Sequence, residues 1–459
     1  MTEDNKYDLI VCGGGPSGVS AAITAARKGA KTLLIERYGF CGGMATAALV
    51  NPFSGHEYTT ADGTKNGSLI GGLFKEIIQN LNDKGGYGSI LSPAAFDEEI
   101  LKIVYDEMLL EAGVHIKYHS FIKAIKAEDK EIKSVEVYSK EGLKEYFGKM
   151  FIDGTGDGDI AAKAGLNITV GRPEDGLTQA MTVSFRMGNV DKADMISTGH
   201  IRKARALVEP YFQEALATGS LVYPYRPFVH FYDYPRDGVL HFNMTRINEV
   251  SGLSVNDLTK AEIEGRRQAH LIAGWLIKYV PYFKKSSIEK VACQVGVRET
   301  RHIKGLYLMT QDDIRSGSKF EDAIVRSRYF IDIHNPKGAH DVQQLKGTSG
   351  ALNHDFGPQP GDYYEVPYRC IVSRECDNLL VPCRALSATH EASAAIRVMA
   401  TMHGIGEAAG IAAVLCIKKG IKVYELEGTE VRSQIQYLNE CPDFDLLWEA
   451  KCGYPWSEN

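Results

Sequence analysis

The residues best placed to do chemistry stand near the start of the chain. Gly13-Gly14-Gly15-Pro16-Ser17-Gly18 follows the apolar run YDLIVC at 7–12. It precedes VSAAITAARKG, which carries small residues at helical spacing and stops at Gly29. A second apolar run, KTLLI at 31–35, ends on Glu36. Strand, glycine turn, helix, strand and acid within about thirty residues make a dinucleotide-binding unit. In such a unit Gly13 permits the tight turn, Gly15 lets backbone approach a pyrophosphate, and Gly18 lets the helix pack on the strand. The helix start at Pro16 and Ser17 offers N–H groups and the positive end of a dipole to the phosphates. Glu36 is placed to accept hydrogen bonds from the adenosine ribose. A second glycine pair follows Arg37, in the run Gly42-Gly43-Met44-Ala45-Thr46. A nicotinamide site rarely needs another close backbone approach here. A flavin dinucleotide does, so the cofactor expected is FAD.

Flavin chemistry asks the protein for orientation, charge stabilisation and proton handling. Arg298 and Arg301 stand three apart in GVRETRHIKG. A helical turn would set them on one side, and a strand would separate them. Either could polarise a substrate or clamp a carboxylate. The competing reading is a buried ion-pair network with Glu299 and Glu262. His334 in YFIDIHNP is the candidate general acid or base, ahead of His340, and His390 and Tyr368 are further candidates. The aromatic run at 221–235 holds Tyr223, Tyr225, Phe228, Phe231, Tyr232 and Tyr234. It would line a substrate pocket, or equally form a core or a dimer surface. Nine cysteines include no CxxC, so no metal or cluster site is expected. Cys41 and Cys383 are the thiols to weigh for covalent flavin attachment, against the simpler reading of buried, unreactive sulfur.

Taken together these motifs resemble the FAD-dependent oxidoreductases of the two-dinucleotide-binding-domain type, in the branch known simply as FAD dependent oxidoreductase. Further segments extend the resemblance over most of the chain: Ile152-Asp153-Gly154-Thr155-Gly156-Asp157, the run from Ala261 to Gln268, Gly296 to Arg301, and Val366-Pro367-Tyr368-Arg369. Asn378 through Arg384, Ser387, Arg397 and the Gly406–Gly410 helix complete it. The resemblance implies a discontinuous FAD domain with an inserted substrate domain. It adds Gly154, Asp157, Arg384 and Ser387 to the cofactor residues, and Ile122 on the meander is counted with them. It also tips Arg298 or Arg301 toward the pocket wall. Two positions depart from the pattern. Cys383 stands where glycine usually precedes the arginine, and His302 where a further arginine commonly follows Arg301.

The elements that must position these groups alternate in kind. A helix is expected over 93–112, and short strands from 114 to 153 form a β-meander feeding the strand at 149–153. A long amphipathic helix is expected over 258–280 and a small-residue helix over 391–420. HFNMTR at 241–246 alternates like a strand. The fold class is α/β, a Rossmann-like FAD-binding domain with a β-meander and an inserted mixed α+β substrate domain. The boundaries are 1–170 and 361–459 for the first and 171–360 for the second. The chain has 459 residues, is 44% hydrophobic and carries a net charge of −6. No basic excess points to nucleic acid or an anionic membrane, and the 46 glycines suit repeated close backbone approaches. No basic leader is seen at the N-terminus, and apolar runs look too interrupted for a membrane span. The expectation is a cytoplasmic enzyme, monomeric or homo-oligomeric, moving a hydride between an organic small molecule and flavin N5. The alternatives are a flavin-bearing electron-transfer or modification subunit that works only in a complex, and a nicotinamide-only dehydrogenase.

Overall fold

The computed structural model describes residues 5–59, 66–222, 228–337, 356–359 and 362–439. The chain opens with strand β1 (Lys6–Cys12), helix α1 (Pro16–Arg27) and strand β2 (Thr32–Ile35). Leu9 to Cys12 and Leu33 to Leu34 are fully buried, which suits a parallel sheet covered on both faces. That sheet runs His115–Lys117, β2, β1, Gly142–Asp153, Glu131–Ser139 and Phe121–Glu128, with Leu379–Leu380 pairing outside this path onto Phe151 and Ile152. β1, β2, His115–Lys117, Gly142–Asp153 and Leu379–Leu380 pair in parallel, and the meander strands are antiparallel. The strand expected at 149–153 is longer than its apolar residues suggested. It begins at Gly142 as the last meander strand and continues into the parallel sheet. Asn378 ties the C-terminal segment in, its side chain bonding Ile132 on both backbone groups and the Lys149 carbonyl.

The helix expected over 93–112 begins later, at Glu98, because the Asp97 carboxylate accepts the Glu99 and Ile100 N–H groups and caps it there. The helix expected over 391–420 is two, His390–Ile396 and Met399–Lys419, divided where Val398 turns to extended backbone. The longer one crosses α1 at very close range. A Cβ on Gly406 would lie 2.2 Å from the Ser17 carbonyl oxygen, and one on Gly410 would lie 2.6 Å from that of Ala21. This helix is long and apolar enough to cross a membrane by composition alone, yet most of its apolar stretch is buried inside the molecule. Its apolarity is accounted for by that burial.

Glu407 on the same helix holds the start of Gly72–Asp83 by accepting the Leu73 N–H at 3.1 Å. Burial pushes its carboxyl up to about 7. A raised carboxyl destabilises the fold where the free acid would be ionised, so this cost is absent below pH 4.5 and complete above pH 7. Glu407→Gln is therefore expected to stabilise the protein by about 2 kcal/mol at pH 8 and by little at pH 4.5, read from unfolding curves at the two pH values.

A second, antiparallel sheet runs Phe231–Asp233, Leu240–Phe242, Phe185–Gly188 and Ser287–Val291. Phe231, Phe242 and Phe185 pair across it in one row. Their face packs on Val208 and Phe212 of Ile201–Thr218 and on Ile272, Trp275 and Leu276 of Val255–Tyr279. Met309, Ile314, Ile324, Val325, Ile331 and Ile333 bury instead in the core of the first sheet.

Candidate functional site

Three glycine segments meet at the end of β1. Gly13 has φ 102°, and a Cβ there would lie 2.5 Å from the Gly154 carbonyl oxygen. A Cβ on Gly18 would lie 1.9 Å from the Gly13 carbonyl oxygen, so only glycine lets α1 start this close to the strand. The second glycine pair is seated on the first: the Gly42 N–H donates to the Gly14 carbonyl at 2.7 Å, and a Cβ on Gly43 would lie 3.1 Å from the Gly15 Cα. Gly43–Ala45 then forms a short 3-10 turn, with the Thr46 hydroxyl donating to the Cys41 carbonyl. Gly15 is different. The nearest atom to a Cβ built on it is the Gly154 carbonyl oxygen at 3.8 Å, so the chain itself leaves this position open. Gly15 is the N-cap of α1, Pro16 is in its first turn, and no side chain caps the helix. An open backbone position at an uncapped helix start fits a pyrophosphate.

Glu36, buried at the end of β2, accepts the Gly14 N–H at 2.6 Å and the Tyr38 N–H at 2.9 Å. Burial raises its carboxyl in spite of these bonds. The Ser120 N–H donates to the Glu36 carbonyl, which brings the start of the meander beside the acid. Ile122, two residues on, is half-buried and packs against the apolar cluster under the sheet. Asp153, which the sequence grouped with the glycine turn, holds the helix Asp159–Lys163 by accepting the Ile160 and Ala161 N–H groups.

Asp157 gathers residues far apart in sequence. Its carboxylate accepts Arg384 at 2.5 Å and the Thr300 hydroxyl at 2.8 Å, while its carbonyl accepts Arg301 at 3.0 Å. Arg301 also pairs with Asp159 at 2.8 Å. A cleft of about 280 Å³ opens here, lined in part by Arg37, Asp157, Asp159, Gln294 and Arg301. Arg37 donates across it to Gln294 at 2.9 Å. The predicted cofactor residues Arg37 and Asp157 thus share one cleft with the catalytic candidate Arg301.

The two arginines of GVRETR do not act from one side. Arg301 opens the strand Arg301–Ile303, and Arg298 precedes it and donates to the Ala180 carbonyl. Glu299 and Glu262, the expected ion-pair partners, take other groups. Glu262 binds Arg266 and the Val295 N–H. Glu299 is buried with His302 Nε2 at 3.2 Å, His390 Nδ1 at 2.8 Å and the Gln179 N–H at 3.0 Å. His334 lies near Arg298 through Ala180, whose N–H donates to the His334 carbonyl. Arg246 Nη2 stands 3.2 Å from His334 Nδ1, and Asp332 stands 3.3 Å from Nε2. A guanidinium only donates, so Nδ1 accepts and Nε2 carries the proton toward Asp332. Asp332 also accepts the Tyr329 hydroxyl at 3.2 Å, and its carbonyl accepts Arg397. Arg246, Gln179, Tyr329 and Asp332 carried no sequence motif. Only this three-dimensional clustering singles them out.

Of the aromatic run, Phe231 is core and Tyr232 and Tyr234 face the other way, while Tyr223 and Tyr225 lie outside the described residues, as does His340. Tyr368 is buried and donates to the Val423 carbonyl. Ser387 is buried with its N–H on the Cys370 carbonyl. Cys41 packs beneath Gly14 and Cys383 lies in the apolar cluster under the sheet. Burial pushes both thiols up, Cys383 to about 12, which favours unreactive sulfur. Among the described residues no group of three or more metal-ligating side chains occurs.

The sequence profile of the family described as FAD dependent oxidoreductase matches residues 8–435. A ferredoxin–NADP reductase of Ligilactobacillus salivarius is 42% identical over 82 residues, 18% of this chain and 21% of that protein. A digeranylgeranylglycerophospholipid reductase of Thermoplasma volcanium is 25% identical over 199 residues, 40% of this chain and 48% of that protein. The chain thus matches about half or less of the length of these relatives. Among solved structures, a geranylgeranyl bacteriochlorophyll reductase-like protein of Thermoplasma acidophilum superposes with a TM-score of 0.43 at 13% identity, covering 95% of this chain and 82% of that one.

Proposed function

The chain belongs to the FAD dependent oxidoreductase family, and on that premise we propose that it moves a hydride between a small organic molecule and its cofactor. It is an enzyme, and its cofactor is FAD. When bound, FAD supplies two-electron chemistry for making or breaking C–C, C–O or C–N unsaturation. The observation that carries the reading is the open backbone position at Gly15, beside Gly43 and Gly154 at the uncapped start of α1.

In this reading Gly13, Gly15, Pro16, Ser17 and Gly18 hold the pyrophosphate, and Glu36 and Arg37 hold the adenosine end. Gly42 to Thr46, Gly154, Asp157, Arg384 and Ser387 frame the rest, with Ile122 beside the nucleotide. Arg301 forms the wall of the cleft. Arg298 and His334 orient and polarise the substrate, and the Asp332–His334–Arg246 chain fixes which imidazole nitrogen carries the proton. The cofactor lobe comprises 1–170 and 361–459 and the substrate lobe lies within 171–360, of which the segment from Met309 to Ile333 packs in the cofactor-lobe core, and the enzyme works in the cytoplasm.

The test is the visible spectrum of the purified protein before and after acid precipitation. Oxidised-flavin bands that pass into the supernatant are expected. Colour retained in the pellet would mean covalent attachment, and a chain that stays colourless with added FAD would overturn the reading. A second chain that co-purifies and is needed for turnover would favour the electron-transfer subunit.

A further inference from the structure

The second sheet has two unlike faces. One row across it is Phe231, Phe242, Phe185 and Val291, packed into the core beneath. The next row, on the opposite face, is Tyr232, His241, Arg186 and Lys290. Alternation along each strand makes this second face polar. It is nevertheless buried. Arg186 and His241 are each 1% exposed.

Arg186 is partly engaged. Its Nη2 donates to Glu98, which also takes Lys290 Nζ at 2.8 Å and the Tyr234 hydroxyl at 2.9 Å, and the guanidinium lies 4.0 Å from the Tyr234 ring centre. Lys290 further reaches the exposed Glu99. Arg186 Nε and Nη1 and both ring nitrogens of His241 are buried and have no partner among the described residues. Asn243 Oδ1, two residues along the same face from His241, is also without one. Buried polar groups are almost always satisfied. Four nitrogens on two adjacent side chains, aimed from a sheet face that contributes nothing to the core beneath, mark a surface built for a polar ligand.

We propose that this polar face is the substrate-recognition surface of the enzyme, with Arg186 and His241 binding a carboxylate of the substrate through Arg186 Nε–H and Nη1–H and one imidazole N–H. The proposal rests on the oxidoreductase reading for the word substrate, but the anion site stands on its own geometry. A guanidinium with free N–H groups matches a carboxylate. Burial and the neighbouring Arg186 hold the His241 ring neutral, so it offers one donor without adding charge. Glu98 beside Arg186 disfavours a dianion, which selects a carboxylate over phosphate.

The experiment titrates the FAD-loaded enzyme with the monocarboxylates benzoate and butyrate, their neutral amides benzamide and butyramide, and inorganic phosphate. It follows the melting temperature and the flavin difference spectrum. The carboxylates are expected to raise the melting temperature saturably, and the amides and phosphate are not. His241→Phe and Arg186→Lys are each expected to weaken carboxylate binding at least tenfold with the FAD content per chain unchanged. His241→Phe removes no charge from the Arg186–Glu98 pair, so it reports even if the arginine variant does not fold. Equal binding of amides or of phosphate, silence of every carboxylate, or unaltered binding by His241→Phe would each overturn the proposal. A colourless chain that still binds benzoate through Arg186 would instead sink the oxidoreductase reading and leave the anion site standing.

Discussion

Gly15→Ala is expected to give a chain that folds and melts like the parent but does not retain FAD, whereas Gly18→Ala is expected to lose the fold itself. The two glycines are three residues apart in one turn and would be indistinguishable by motif alone. Their surroundings differ. A methyl on Gly15 meets only the Gly154 carbonyl oxygen at 3.8 Å, an ordinary contact, and the Gly15 φ of −70° suits alanine. The apoprotein should therefore change by less than about 0.5 kcal/mol. The methyl would stand where backbone must approach the pyrophosphate, so FAD affinity is expected to fall at least about 100-fold, close to 3 kcal/mol. A methyl on Gly18 would lie 1.9 Å from the Gly13 carbonyl oxygen, and main chain cannot swing aside as a flexible side chain can. Replacing glycine by alanine inside a helix ordinarily gains up to about 1 kcal/mol. Here a loss of about 3 kcal/mol or more is expected. Flavin absorbance per chain and the melting curve of each apoprotein separate the outcomes. A Gly15→Ala chain that keeps its FAD would show that the cofactor is held elsewhere.

That contrast marks what the sequence makes legible. The turn from Gly13 to Gly18, Glu36 and the Gly42-Gly43 pair lie within a few dozen residues, and their spacing carries their geometry. The small residues of 391–420 were visible as a helix, but that Gly406 and Gly410 among them meet α1 backbone shows only in the fold. The break at Val398 was not legible, since an extended residue between two helical runs leaves no gap in apolar spacing. Asp157 and Arg384 were each visible, but their pairing spans 227 residues and needs the folded sheet. The polar row Arg186, His241 and Tyr232 was hidden for a different reason. Each strand of the second sheet is three to five residues long, too short for alternation to stand out from the aromatic run around it. Register, not composition, sets those side chains in line.

Glu299 is expected to govern the acid limb of stability. It is buried to 1% exposure and accepts from His302, His390 and the Gln179 N–H. Burial alone would raise its carboxyl, but the hydrogen bonds and charges of the two histidines outweigh it and hold the group at about 2. A carboxyl depressed in the fold stabilises the native state fully above the free value of 4.5, and that contribution is lost as pH falls toward 2. The shift corresponds to about 3 kcal/mol. Glu299→Gln keeps the shape, yet its single amide oxygen cannot serve three donors, and its amide nitrogen is itself a donor turned toward donors. The variant is expected to lose about 2–4 kcal/mol at pH 7 and to show a flatter stability curve than the parent between pH 4.5 and pH 3. Denaturant unfolding of both chains at pH 7, 4.5 and 3 measures this. Parallel curves would mean that the carboxylate does not hold these imidazoles. Because Glu299 also fixes the backbone at Gln179, beside Ala180 where Arg298 and His334 meet, its loss should slow turnover in proportion to the disorder it brings to that segment.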